Sequence, residues 1–342
     1  MRMCTRMLSV ITVLIGVLMA VGCTSLQNNE VQKFLKTSQS DYDREDKSTG
    51  SPEFIETVIS ENWVVVEHSS QDLNIEQPMG IACDRGKIFI CDSSENTIKV
   101  FDNKFDFLYS VGSTGNEMGS FLNPSDISIL DERAYILDSG NNRLQIIDLE
   151  GRPVSAEHLL NLSASQNEYY SHLAVLSPSE FAFTVQDIGE DAKIYWWNGR
   201  DIETIYSPFM GSVYGENGKT YAVNLYEFTK MSTERTVAES GENSLLIFNG
   251  GTLESEIKLP YMYSTADFVV MDEQLFVLSY LWNRLDRFDL QGNYIETIAQ
   301  FSFDPGKPIK YSSYLAVDKE SSTFYITVKE NSMIYEVYKC EK

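Results

Sequence analysis

The chain repeats itself every 46 or 47 residues, and that period limits its folds more than any other feature. PMGIACDRGKIFICDSSENTIKVFDN at 78–103 aligns without a gap on PSDISILDERAYILDSGNNRLQIIDL at 124–149. Pro78 meets Pro124, Ile81 meets Ile127, Asp92 and Ser93 meet Asp138 and Ser139, and Asn96 meets Asn142. The pattern returns at 267–292, with Asp267 in the place of Asp126 and Asn283 in that of Asn142, and again at 315–337. Two eroded copies lie between, so Ile81, Ile127, Leu173, Val213, Phe268 and Leu315 open six copies. A unit of 40–50 residues made of short apolar runs cannot bury both faces alone and must stack on its neighbours.

Each copy reads as four short strands. In the first, runs at 80–83, 87–91, 97–102 and 105–111 are rich in Ile, Val, Phe and Tyr, and Asp, Asn and Gly punctuate them. Four antiparallel strands per copy make one blade, and six copies predict an all-β, six-bladed β-propeller. The last copy has strands at 313–318, 323–328 and 332–338 and stops one short, whereas NWVVVE at 62–67 is an orphan β run upstream. The expectation is that this N-terminal strand completes the last blade and closes the ring, leaving no long open edge. In the fourth copy a long polar stretch, 225–243, separates the second and third strands.

The stretch GSTGNEMGSFLNPSDISILDERAYILDSGNNRLQIIDLEG at 112–151 resembles an NHL-type repeat. The order of Gly-rich loop, Gly-Ser-Phe, Pro, two strands, Asp-Ser and Asn-Arg is similar to that of exported six-bladed propeller lipoproteins of bacteria. The resemblance is strong over 78–151, moderate over 267–337 and weak over 160–260. It implies the fold. It implies no single activity, because lyases, lactonases, receptors and scaffolds share the architecture.

The N-terminus reads as an address. Arg2 and Arg6 precede an apolar run from Met7 to Val21, too short for the roughly 20 residues of a spanning helix. Small residues then lead to Cys23 and a polar segment, the layout of a secretory signal peptide. The approach to Cys23 resembles a bacterial lipobox, although Ala20 stands where the family has Leu. That resemblance implies cleavage before Cys23 and diacylation of its sulfur. The expected organisation is a lipoprotein signal peptide at 1–22, a flexible polar tether at 23–53 and the propeller at 54–342. The expected location is the bacterial cell envelope, lipid-anchored and extracytoplasmic, with the membrane as one partner.

Charge excludes one class of partner. Lys and Arg total 27 against 50 Asp and Glu, a net charge of −23. Such a surface repels phosphate backbones, so nucleic acid is not expected. Only three His are present, His68, His158 and His172, too few and too scattered for a three-His metal centre. Cys83, Cys91 and Cys340 show no framework spacing, and the first two, on adjacent predicted strands, read as small buried hydrophobes.

The repeated Asp-Ser-x-x-Asn pieces (Asp92, Ser93, Asn96; Asp138, Ser139, Asn142) carry oxygens suited to Ca²⁺. Their recurrence in successive blades favours loop closure by side-chain to backbone hydrogen bonds. The fifth copy has Ser279 and the sixth Thr327 in the Asp place, so no carboxylate ring forms. The Gly-rich GSTGNEMG at 112–119 leads into a strand rather than a helix, which marks an interblade loop and not a phosphate cradle. His172 opens the third blade, where a single hydrogen-bonded His is the expected state.

Aromatic residues gather on one predicted rim. Tyr226 and Phe228 lie in the long insertion, Tyr280 and Trp282 in the fifth copy, and Phe209, Tyr261 and Tyr263 in loops leading into blades. Such side chains suit stacking on a sugar or anchoring a peptide. Trp196 and Trp197 fall on a third strand, so at least one ring belongs to the core. With no nucleophile–base signature, the expected function is a binding or assembly module for a glycan, peptide or protein, without cofactor. The alternative is a divalent-cation-dependent hydrolase or lyase resembling gluconolactonase-type propellers, with Glu61, Asp187, Asn224 and Asp267 around one channel cation. A purely structural surface protein is the third reading.

Overall fold

Six four-stranded antiparallel sheets form the described part of the chain. The computed structural model describes residues 60, 62–160, 169–186, 192–224, 243–259, 265–279, 283–301, 313–329 and 332–340. All of them fall within one unit, Ile55–Ser302 with Lys307–Lys342. The first strand, β1 (Trp63–Ser69), is set apart from the blade that follows it. Blade 1 holds β2 (Pro78–Asp84), β3 (Lys87–Asp92), β4 (Thr97–Asp102) and β5 (Phe107–Val111). Blade 2 holds β6 (Pro124–Leu130), β7 (Arg133–Asp138), β8 (Arg143–Asp148) and β9 (Pro153–His158). Blade 3 holds β10 (Tyr169–Ser177), β11 (Glu180–Gln186), β12 (Lys193–Trp197) and β13 (Ile202–Tyr206). Blade 4 holds β14 (Gly211–Glu216), β15 (Lys219–Asn224), β16 (Ser244–Asn249) and β17 (Thr252–Lys258). Blade 5 holds β18 (Thr265–Met271), β19 (Gln274–Ser279), β20 (Arg284–Asp289) and β21 (Tyr294–Gln300). Blade 6 holds β22 (Ser313–Asp318), β23 (Thr323–Val328) and β24 (Met333–Lys339). No α-helix occurs among the described residues.

The ring closes as the orphan run implied. β1 is the fourth strand of blade 6 and pairs antiparallel with β24, from Trp63 opposite Lys339 to Ser69 opposite Met333. The seam is tied at both ends, by Cys340 N–H to Asn62 O at 2.7 Å and by Ser70 N–H to Ser332 O at 3.0 Å. Ser60 N–H donates to Thr297 O of blade 5 at 3.0 Å, joining the segment before β1 to the preceding blade. The innermost strands β2, β6, β10, β14, β18 and β22 touch in cyclic order.

Burial follows from the stacking. Second strands lie between neighbouring blades on both faces, so IFIC of β3, AYIL of β7 and LFVL of β19 are buried without alternation. Outer strands face water, and β17 is exposed at six of its seven positions. Apolar clusters fill the gaps between blades rather than one central core. Asn96, Asn142 and Asn283 all sit in the left-handed region, φ 57°, 52° and 50°, at the turn into the third strand. Asn tolerates that conformation better than most residues, which explains its recurrence in the repeat.

Candidate functional site

The repeat register puts one column of residues near the start of the six inner strands: Gly80, Asp126, His172, Ser212, Asp267 and Tyr314. In blades 1, 2, 3 and 5 the pairing between first and second strands slips at this position. A bulge of this kind re-aims a side chain. Gly80 has no room for a Cβ, which would lie 2.4 Å from both Asp126 Cα and Asp126 Oδ1.

The two carboxylates join blades. Asp126 Oδ1 accepts its neighbour Ile127 N–H at 2.8 Å, and Oδ2 accepts Leu173 N–H of blade 3 at 2.8 Å. Asp267 repeats the arrangement, with Phe268 N–H at 2.8 Å and Leu315 N–H of blade 6 at 2.7 Å. His172 Nδ1 lies 2.8 Å from Ser171 Oγ, its ring packs 5.1 Å from that of Tyr314, and Nε2 faces Asp267 Oδ1 at 3.8 Å. His172 Nε2 has no hydrogen-bond partner among the described residues, and the Ser212 hydroxyl supports the charged form of the Asp267 carboxyl. Burial dominates the electrostatics here. It lowers His172 from 6.5 to about 3, so the ring is neutral. It raises Asp267 from 3.8 to about 7, against the pull of its backbone donors. Asp126 is pushed up as well, by burial first and then by the Asp267 charge.

A cavity of about 570 Å³ runs from this belt toward the turns that join first and second strands. Its lining includes Asp126, His172, Asp267 and Tyr314 at the inner end and Arg85, Glu216 and Lys319 at the mouth. Lys319 of blade 6 pairs with Glu216 of blade 4, and Arg85 of blade 1 pairs with Glu132 of blade 2.

The Asp-Ser-x-x-Asn oxygens close loops, as their recurrence implied. Asp92 accepts Glu76 and Gln77 N–H, both at 3.0 Å. Asp138 accepts Leu122 N–H at 2.7 Å, Arg143 Nε at 2.7 Å and Asn141 Nδ2 at 2.8 Å. In blade 6 the register places Val328, not Thr327, in the Asp position; Thr327 Oγ1 donates instead to Met79 O. The Gly-rich loop is pinned over blade 2 by Arg143, whose guanidinium donates to Asn116, Glu117 and Ser120 carbonyls at 2.8–2.9 Å.

Of the rim aromatics, Phe209 needs correction: it belongs to the packing and not to a ligand surface. It is 1% exposed, its N–H donates to Ala192 O at 2.7 Å, and its ring meets Tyr206 edge-on at 6.1 Å. Leu159, Leu259 and Phe301 fill the same place in other blades, each donating to the backbone that opens a third strand. Apolar bulk just past an outer strand therefore plugs a blade junction. Tyr226, Phe228, Tyr261, Tyr263, Tyr280 and Trp282 lie outside the described residues, as do Cys23, Glu61 and Asp187. Trp196 and Trp197 are both half-buried; Trp197 stacks on Phe181 and Trp196 Nε1 donates to Glu180 Oε1 at 2.9 Å. Cys91 is fully buried and Cys83 partly so, and burial raises both thiols far above their ordinary range. Repeat matching paired Asp126 with Asp267. The six-residue column was missed, although the 46-residue offset carries Gly80 to Asp126 and Asp126 to His172.

A family model described as a 6-bladed beta-propeller matches residues 58–210. The chain is a six-bladed β-propeller. Regucalcin, a calcium-binding protein from Agrobacterium tumefaciens, has a similar structure at TM-score 0.57 and 11% identity, over 84% of this chain and 98% of that one. A luciferin-regenerating enzyme matches at TM-score 0.56 and 12% identity, over 81% and 98%. A protein of unknown function from Bacteroides thetaiotaomicron matches at TM-score 0.53 and 10% identity, over 77% and 70%. No curated protein matches the sequence. At such identities the shared property is the propeller fold alone. Two of the four candidate cation donors, Glu61 and Asp187, lie outside the described residues. Among the described residues no three His, Cys, Asp or Glu side chains converge, and Asn224 Oδ1 already accepts Ser244 N–H at 2.6 Å.

Proposed function

We propose that this propeller is a lipid-anchored, extracytoplasmic binding or assembly module of the bacterial cell envelope. Its NHL-like repeats would present one face to a glycan, peptide or protein. The observation that carries this reading is the use made of the side chains capable of acid–base chemistry. Asp92, Asp126, Asp138 and Asp267 each hold backbone N–H groups of a loop or a neighbouring blade. His172 is desolvated to neutrality. These groups support a rigid frame, and rigid frames carry recognition on their longer loops.

The long insertion leaves from a suitable place. Asn224 and Asn243 bracket it, linked by Asn243 Nδ2 to Asn224 O at 2.7 Å, and Asn224 pairs with Gly211 at the start of β14. The insertion and the segment carrying Tyr280 and Trp282 therefore both depart from the end of the ring where inner strands begin. Shortening 225–242, or changing Trp282→Ala, is expected to shift the melting temperature by less than about 3 °C while weakening ligand capture at least tenfold. Calorimetry and a glycan and peptide panel on full-length protein read this. Lost stability with unchanged binding overturns the assignment of the rim.

Anchoring has its own test. Cys23→Ser removes the sulfur that would carry the lipid, and a stable anchor takes two acyl chains at about 0.8 kcal/mol per buried methylene. The variant is expected to leave the detergent phase and the membrane fraction almost completely. Unchanged partitioning refutes lipidation at this residue. The competing hydrolase or lyase reading requires a divalent cation in the channel, and metal analysis of purified protein separates the two. A stoichiometric divalent cation would favour the enzyme.

A further inference from the structure

The mouth of the channel opens at the end of the ring opposite the rim. From the belt of Asp126, His172 and Asp267 the inner strands run four residues to their hairpin turns, about 13 Å at the usual strand rise. The cavity between, about 570 Å³, falls within the roughly 300–1,000 Å³ of small-molecule sites.

Its chemistry is graded along that length. At the inner end every oxygen of Asp126 and Asp267 already accepts one backbone N–H and keeps a second lone pair. His172 is 94% buried, and its Nε2 has no partner among the described residues. With the proton on Nδ1, toward Ser171 Oγ, that Nε2 is a bare acceptor 3.8 Å from Asp267 Oδ1. Acceptors thus converge here, and no Lys or Arg lines the inner end. The wall below carries Ala82, Leu130, Leu176 and Ala316, with Ser128 and Tyr214 beside them. The mouth adds three carboxylates, Asp84, Asp318 and Glu320. Of its two cations, Lys319 is engaged with Glu216, and Arg85 is engaged with Glu132 and lies 3.9 Å from Asp84.

An acceptor-rich inner end, a middle of alanines and leucines beside Ser128 and Tyr214, and an acidic mouth complement a cation at each end of an aliphatic stem. We propose that the channel binds a linear aliphatic diamine entering from the hairpin-turn face. The inner ammonium lies among Asp126, Asp267 and His172 Nε2, the methylenes follow the alanines and leucines of the wall, and the outer ammonium meets Asp84, Asp318 and Glu320. A carboxylate stripped of water holds an ammonium more strongly than an exposed one, because the effective dielectric falls, and the bound ammonium in turn favours the ionised forms of Asp126 and Asp267. The site is at the opposite end from the rim, so this inference and the rim reading stand or fall separately.

Titration calorimetry of full-length protein with octamethylenediamine, octylamine, octanoate and octanol tests it. The measurement belongs at about pH 8, where Asp267 is mostly ionised. The diamine is expected to bind at least tenfold more tightly than octylamine, and octanoate not at all. Asp84→Asn with Asp318→Asn and Glu320→Gln changes only the mouth and is expected to bring the diamine down to the monoamine's affinity. Asp267→Asn keeps an acceptor for Leu315 N–H and is expected to abolish binding of both amines. Circular dichroism melting of each variant without ligand shows that the fold survives. Equal binding of octanol marks an unspecific apolar slot and overturns the proposal. So does an absence of amine binding to the native protein, or a diamine affinity unmoved by the mouth substitutions.

Discussion

Deleting residues 54–69 is expected to lower the thermal midpoint by 10 °C or more, and to broaden the transition. β1 supplies a whole strand of blade 6, in register from Trp63 to Ser69 against β24. Without it β24 becomes an unpaired edge, a ready template for association with other chains. Trp63 and Val65 also pack against the cluster that joins blades 5 and 6, and the Trp63 ring lies 5.7 Å from that of Phe324. Fully burying one large apolar side chain is worth about 1.5–3 kcal/mol, and Trp63 and Val65, each partly buried, contribute a share of that. Losing both, together with the seam's hydrogen bonds, removes a large part of the roughly 5–15 kcal/mol that holds a domain together. Differential scanning calorimetry reads the midpoint, and light scattering reads the association expected of the open edge. Val65→Asp is a milder version, expected to lower the midpoint by several degrees without shortening the chain. An unchanged midpoint in both variants would show that the seam carries no load.

The second large effect is an unusual pH profile. Burial raises the folded Asp267 carboxyl from 3.8 to about 7, and raises Asp126 as well, so the folded protein keeps protons the unfolded chain has released. The stability this contributes is complete below about pH 4 and is lost as pH rises through 7. His172 acts in the opposite sense. Held at about 3 when folded, it costs stability as pH falls below its ordinary 6.5. Between about pH 4 and 6.5 His172 cancels one carboxyl. Above about 6.5 it drops out, and stability falls with pH by roughly 1.4 kcal/mol per unit for each carboxyl still protonated only in the folded state. For a domain of this size each kcal/mol moves the midpoint by about 2–4 °C. Asp267→Asn is expected to flatten the profile from about pH 6.5 to 8 relative to the native protein. A native midpoint that rises over that interval, or a variant profile parallel to it, contradicts the assignment.

Much of the architecture could be read from residues before any coordinates. The repeat placed Ile81, Ile127, Leu173, Val213, Phe268 and Leu315, at intervals of 46, 46, 40, 55 and 47 residues, and each lies on the inner strand of its blade. Period and strand count follow from local apolar runs, so they survive even in the eroded third and fourth copies. The missing strand was legible for a topological reason: a ring with three strands at its end and an unused run at its start has one neat solution. Phe209 was misread because a Pro-Phe pair in a loop looks exposed. Only the backbone bond to Ala192 and comparison with Leu159, Leu259 and Phe301 reveal a plug. The channel belt was harder still. Asp126 and Asp267 are 141 residues apart in sequence, and their coupling exists only because separate strands converge on one axis.

The closing seam also sets the order in which the molecule can be made. β1 is the first described strand to be synthesised and β24 the last, so Trp63 must wait some 276 residues for Lys339. Blades 1 to 5 are each built from consecutive strands and can form as the chain grows, by local hairpin pairing. Blade 6 cannot. Until its last strand arrives, the growing arc carries unsatisfied strand edges at both ends, and an interrupted product carries them permanently. Completion of the ring is therefore a late, all-or-nothing step. It separates finished chains from truncated ones by whether any open edge remains for a chaperone or protease to grip.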